Sequence, residues 1–106
     1  MELVIAIYQA SADFPVTERY SLTDQIRRAA VSIPSNIAEG AARQTKKEFL
    51  NFLHIAKGSL SELDTHLEIA RRLHCLSDKQ WADLDIKLEH IDRLISGLVR
   101  HLRNAV

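Results

Sequence analysis

The sequence predicts an all-α protein, an up-down four-helix bundle with a short first helix and a proline-kinked second helix, forming one domain over residues 1–106. Three observations predict it. Helix-start signatures stand at 21–24, 45–48 and 77–80. Long apolar stripes follow each of them at a spacing of three and four residues. Only three glycines and two prolines occur in 106 residues, too few for a turn-rich, many-stranded chain.

The first element is short. Leu3, Ile7 and Ala10 recur at helical spacing with Val4 and Tyr8 beside them, so a helix ending near Ala12 is expected. The stretch DFPVTERY then connects, with Pro15 opposing helical continuation. The second helix is expected over 21–43, with Ser21 as its N-cap and Asp24 near its positive end. Its apolar residues Ile26, Ala29, Ala30, Ile33, Ile37 and Ala41 are interrupted by Pro34, flanked by Ser32, Ser35 and Asn36. A proline inside a helix removes a hydrogen bond and costs about 3 kcal/mol. It frees the carbonyl of Ala30, and serine or asparagine side chains can supply local replacements.

The third helix, 45–74, opens with the capping box of Thr45 and Glu48. It places Phe49, Phe52, Leu53, Ala56, Leu60, Leu63, Leu67 and Ala70 on one broad stripe. The fourth, 77–104, opens with the box of Ser77 and Gln80, with Leu76 and Trp81 at the positions of a hydrophobic staple. Trp81, Leu84, Leu88, Ile91, Ile95, Leu98 and Leu102 alternate steps of three and four. At 1.5 Å per residue the last two helices are rods of about 40–45 Å, and neither can bury its stripe alone.

Composition narrows the function classes. Fourteen basic residues cancel fourteen acidic ones, so no net field draws the chain to nucleic acid or membrane. The apolar run LVIAIY is too short to span a bilayer and lacks the basic start of a signal peptide. Cys75 is the single cysteine and has no internal disulfide partner, which fits a reducing, cytoplasmic setting. Charge is nevertheless segmented. Residues 1–18 carry −3, 19–57 carry +4, 58–92 carry −4 and 93–106 carry +3.

Catalytic and cofactor signatures do not occur. No carboxylate has a histidine three residues later, as a di-metal carboxylate bundle requires. His54, His66, His74, His90 and His101 are scattered, and Glu62 with His66 is a single i,i+4 pair. His74 and Cys75 are neighbours and point about 100° apart on a helix, so the histidine does not activate the thiol. No metal, no cofactor and no enzymatic activity are expected.

The run LTDQIRRAAVSIPSNIAEGAAR, followed by EFLNFLHIAKGSLSELDTHLEIA, resembles the four-helix bundle family encoded in intervening sequences within 23S ribosomal RNA genes. The match runs in order through Gln25, Ile26, Arg27, Arg28, Ala29, Ser32, Ile33, Asn36, Ile37, Ala38, Glu39 and Gly40. It continues through Phe52, Leu53, Ala56, Gly58, Ser59, Glu62, Leu63 and Leu67. The resemblance implies a bacterial homopentamer, ring-shaped with a central channel and of unknown biochemical role. A related accessory protein of diversity-generating retroelements is also a pentameric barrel, and it binds nucleic acid. Family members have a longer first helix, and the retroelement relatives are strongly basic where this chain is neutral.

Two functional readings follow. The leading one is a self-assembling, non-catalytic scaffold or adaptor. Its expected subunit interface comprises Arg28, Ser32, Pro34, Ser35, Asn36, Glu39 and Arg43 on the second helix. On the third it comprises Gly58, Ser59 and Glu62, with Glu62 placed to pair with Arg28 or Arg43. Ser32, Ser35 and Asn36 are small enough to allow close approach, and Gly58 gives up helix stability where a second backbone comes near. The rival is an RNA-binding accessory protein using a basic patch of Arg27, Arg28, Arg43, Lys46 and Lys47. Tyr8, Tyr20 and Trp81 are isolated in sequence, so no aromatic stacking platform is expected.

Overall fold

The computed structural model describes residues 1–104, except for the side chains of residues 18–20, so Tyr20 lies outside the described residues. Helix α1 spans Glu2–Ser11, α2 Asp24–Ala41, α3 Lys46–Arg72 and α4 Asp78–Asn104. No strand occurs among the described residues.

Both predicted capping boxes form, one of them completely. At α4 the Gln80 N–H donates to Ser77 Oγ at 3.1 Å, and the Ser77 N–H donates to Gln80 Oε1 at 2.9 Å. Two orphan donors are thereby satisfied reciprocally. At α3 the Glu48 N–H donates to Thr45 Oγ1 at 3.1 Å, while the Thr45 hydroxyl itself donates to Glu48 Oε1 at 2.9 Å. Ser21 does not stand at the start of α2, which begins at Asp24 with Thr23 before it. A 3₁₀ turn over Val16–Glu18 and a π-helical turn over Arg19–Thr23 lead directly into α2. Thr23 is already in helical geometry (φ −60°, ψ −48°) and makes no side-chain cap. A capping side chain needs an extended residue from which to reach the first turn, and here the chain enters helical.

The helix ends shift by small amounts. α2 stops at Ala41 and α3 at Arg72, two residues short of each expected end. α3 closes through a Schellman motif: the Cys75 N–H reaches the Ala70 carbonyl at 2.9 Å, and the His74 N–H reaches Arg71 at 3.0 Å. The turn puts His74 in the left-handed region, φ 63°.

The helices run antiparallel in sequence. Ser32 on α2 hydrogen-bonds Ser59 on α3 at 2.7 Å, and Arg103 at the end of α4 donates to His54 near the start of α3 at 3.2 Å. At the opposite end, Arg71 lies over the Trp81 ring at 4.3 Å. α1 is held on one side by Arg27, whose Nε donates to Ser11 Oγ at 2.9 Å, and on the other by Glu2 with Lys87 at 3.4 Å. The core between them is apolar: Ile7, Ile26, Leu53, Leu63 and Leu67 are its largest fully buried side chains. On α4 the predicted seam is buried at Leu84, Leu88 and Ile95, and Val99 joins it. α2 continues through Pro34 without interruption. The bundle measures 49 × 24 × 19 Å.

Candidate functional site

Of the small polar residues around Pro34, Ser32 and Asn36 face their own chain. Ser32 Oγ and Ser59 Oγ form one bond of a seam between α2 and α3. Asn36 Nδ2 donates to the Ser32 carbonyl at 2.7 Å and to Ser32 Oγ at 2.9 Å. The side-chain support therefore falls on Ser32, and the close approach that Ser32, Asn36 and Ser59 allow is that of α3 to α2. Pro34 stands two residues from Ser32, about 200° round the helix, and so lies away from this seam.

What remains on the outside is a second stripe. On α2, Arg28, Ser35 and Glu39 are exposed, and Glu39 pairs with Arg43 at 2.8 Å. On α3, Ile55 and Ile69 stay 50% and 41% exposed, and Gly58 lies between them at helical spacing. A Cβ added at Gly58 would meet nothing within 4 Å beyond its own stretch of α3 backbone. Nothing inside the molecule therefore requires glycine there. Glu62, on the same stripe, turns to His66 at 3.4 Å rather than to Arg28 or Arg43. Gly40 is the opposite case: its Cβ would lie 2.6 Å from Phe52 Cβ and 3.0 Å from a Phe49 ring carbon. The bundle needs that glycine, because α3 turns back tightly against the last turn of α2.

The expected basic patch is divided. Arg27 is engaged by α1, through Ser11 and by stacking over Tyr8 at 4.6 Å. Arg28 is its neighbour near the start of α2. Arg43, Lys46 and Lys47 lie at the other end of that helix, about 24 Å away at 1.5 Å per residue. Arg43 also covers the Phe52 ring at 5.0 Å.

One feature was not foreseen from sequence spacing. Asp64 on α3, with its neighbour Glu68, comes opposite Asp85 on α4 along a shallow cleft. Partial burial, then Asp85 and then Glu68, hold the Asp64 carboxyl above its ordinary value of 3.8. Among the described residues no group of side chains is arranged to hold a metal ion. No helix among them is long and apolar enough to cross a membrane.

Comparison with known proteins places this bundle. A crystal structure of a protein of unknown function from the S23 ribosomal protein family of Bacteroides thetaiotaomicron superposes with a TM-score of 0.83 at 26% identity, over 92% of each chain. No match was found among curated proteins. Neither the family nor this neighbour carries a catalytic assignment. The family model described as 23S rRNA-intervening sequence protein matches residues 1–97, and the chain belongs to that family.

Proposed function

We propose that the chain is a non-catalytic building block that assembles with copies of itself through the outer α2–α3 face, serving as a scaffold or adaptor in the bacterial cytoplasm. The observation that carries this reading is Gly58. A glycine inside an exposed helix gives up about 1 kcal/mol against alanine. Here no contact within the chain explains it, and half-exposed isoleucines flank it. A second backbone lying across Gly58 would cover both isoleucines and account for the glycine together. Ile5, Ile86 and Leu94 on α1 and α4 are also exposed, at 57%, 64% and 57%. They supply a second apolar surface, so that one copy's α2–α3 face meets a different face of the next. A head-to-tail contact of this kind closes into a ring when its rotation allows. The family resemblance makes five copies the expected number.

Light scattering on a size-exclusion column tests the reading. The expected mass is close to five times 12.0 kDa. Gly58→Ala improves helix propensity, so loss of the assembled mass in that variant has no folding explanation. Gly58→Arg is expected to elute as a folded monomer with unchanged helix content. A wild-type chain at 12.0 kDa, or a Gly58→Arg variant still fully assembled, overturns the proposal.

A further inference from the structure

The antiparallel fold gathers charge that the sequence keeps apart. The end of the bundle built from residues 38–57 and 93–104 holds seven bases and two acids, a net of +5 in a neutral chain. The rest of the chain therefore carries −5. The end is assembled from the segments around the α2–α3 turn and the last turns of α4, more than 35 residues apart in sequence and joined in space by the Arg103–His54 contact. Its positive charge is mostly uncompensated. Arg43 is paired with Glu39, and Lys57 reaches Asp92 at 3.7 Å. Lys46, Lys47, Arg93 and Arg100 have no ion-pair partner among the described residues.

Helix physics explains only part of this. Arg100 and Arg103 suit the negative end of α4. Lys46 and Lys47 occupy the first turn of α3, where the macrodipole disfavours cations, so their presence opposes helix stability. We propose that this end is a docking surface for the phosphate backbone of a nucleic-acid duplex.

The surroundings favour that partner. Gln44, Thr45, Asn51 and Asn104 are exposed among the bases, and such side chains bond phosphate and sugar oxygens. Ile55 and Leu94 are exposed only at the inner margin of this end, and no large apolar side chain is exposed nearer its tip, between 38 and 54 or between 95 and 104, so the tip lacks the inserting residues of a membrane-surface site. No exposed aromatic lies there either: Phe49 is half-buried, and Phe52 is also half-buried and covered by Arg43. Unstacked single strands therefore find no stacking platform, whereas a duplex is held by its backbone without one. The 24 × 19 Å cross-section is wide enough to reach both strands across a groove about 12 Å wide.

The test is fluorescence anisotropy with labelled RNA and DNA duplexes of roughly 16 base pairs, titrated against salt. With four to five phosphates neutralised, log affinity is expected to fall against log salt with a slope of about −4. That is about 250-fold between about 50 and 200 mM. The pair Lys46→Gln with Lys47→Gln, and separately Arg100→Gln with Arg103→Gln, are each expected to weaken binding about tenfold at the low salt and to flatten the slope by about 2. Lys79→Gln, at the far end of α4, is expected to leave binding unchanged. Circular dichroism and scattering mass, unaltered in each variant, separate lost docking from lost folding or assembly. The proposal fails if neither duplex binds at about 50 mM salt, or if both paired variants bind like the wild type. It also fails if poly-glutamate of matched charge binds as tightly as the duplexes, which would make the partner an acidic protein.

Discussion

Gly40 and Gly58 show how differently one residue type is constrained in this bundle. Both lie inside helices, and both would read in isolation as weak points costing about 1 kcal/mol. At Gly40 a methyl group would sit 2.6 Å from Phe52 Cβ, an atom fixed by its own backbone. Neither helix can yield cheaply there, because α3 begins only a few residues later. Gly40→Ala is therefore expected to destabilise the chain by about 1–3 kcal/mol, as overpacked cores do, measured as a shift in denaturation midpoint at constant slope. An unchanged midpoint would show that the α2–α3 turn opens freely. Arginine is likewise used by position. Arg27, Arg43 and Arg71 each lie over an aromatic ring, on Tyr8, Phe52 and Trp81, so their stems pack while their heads keep polar partners.

The elements join through different chemistries. α2 and α3 meet closely along the small residues Ser32, Ser59 and Gly40, with one hydroxyl pair in the seam. α3 and α4 meet across a more polar boundary. Lys57 donates to Ser96 Oγ at 2.8 Å, while three carboxylates, Asp64, Glu68 and Asp85, face one another further along. The raised value at Asp64 means that the folded chain holds that proton more tightly than the unfolded chain does. Ionisation of Asp64 thus opposes folding at neutral pH, and the opposition is relieved as pH falls through the raised value. Asp64→Asn should be more stable than wild type near neutrality. Its advantage should shrink on acidification and vanish below the ordinary value of 3.8, as followed by thermal melts across pH. An advantage that persists at low pH would trace to packing instead of charge. At the α3–α4 turn, His74 fills the left-handed position that glycine usually takes in a Schellman motif, and it does so at some cost.

At the scale of the molecule, two surfaces of different character adjoin, with Glu39, Arg43 and Ile55 at their border. The α2–α3 face carries the exposed Ile55 and Ile69 about Gly58 among polar side chains, whereas the end cap has a polar tip and its segments carry +5. Their salt responses should therefore diverge. Assembly through the apolar face should give the same scattering mass from about 50 to 500 mM salt, since screening touches only the charges at its rim. Duplex binding should fall steeply over the same range. A mass that drops with salt would instead assign the assembly to the charged ends.

Much of this architecture was legible in one dimension. The boxes Thr45–Glu48 and Ser77–Gln80 marked two helix starts correctly, because capping is a contact between residues three apart. The stripes of α3 and α4 named the core for the same reason: periodicity is local, and burial follows it. Ser21 misled because its signature is shared by a chain that is already helical when it arrives. The interface and patch residues were harder to read, since sequence spacing does not reveal what lies across from a side chain. Only the tertiary structure turned Ser32, Asn36 and Ser59 inward, gave Gly40 a neighbour and left Gly58 without one. It also brought Arg43, Lys46 and Lys47 to the end where the arginines of α4 lie, whereas their distance from Arg27 and Arg28 is set by the rise along α2 itself. The sequence by itself determined which segments are helical and which faces are apolar, through hydrogen bonds and spacings a few residues long. The antiparallel packing of those helices decided which charges and surfaces meet, because that depends on contacts between residues tens of positions apart.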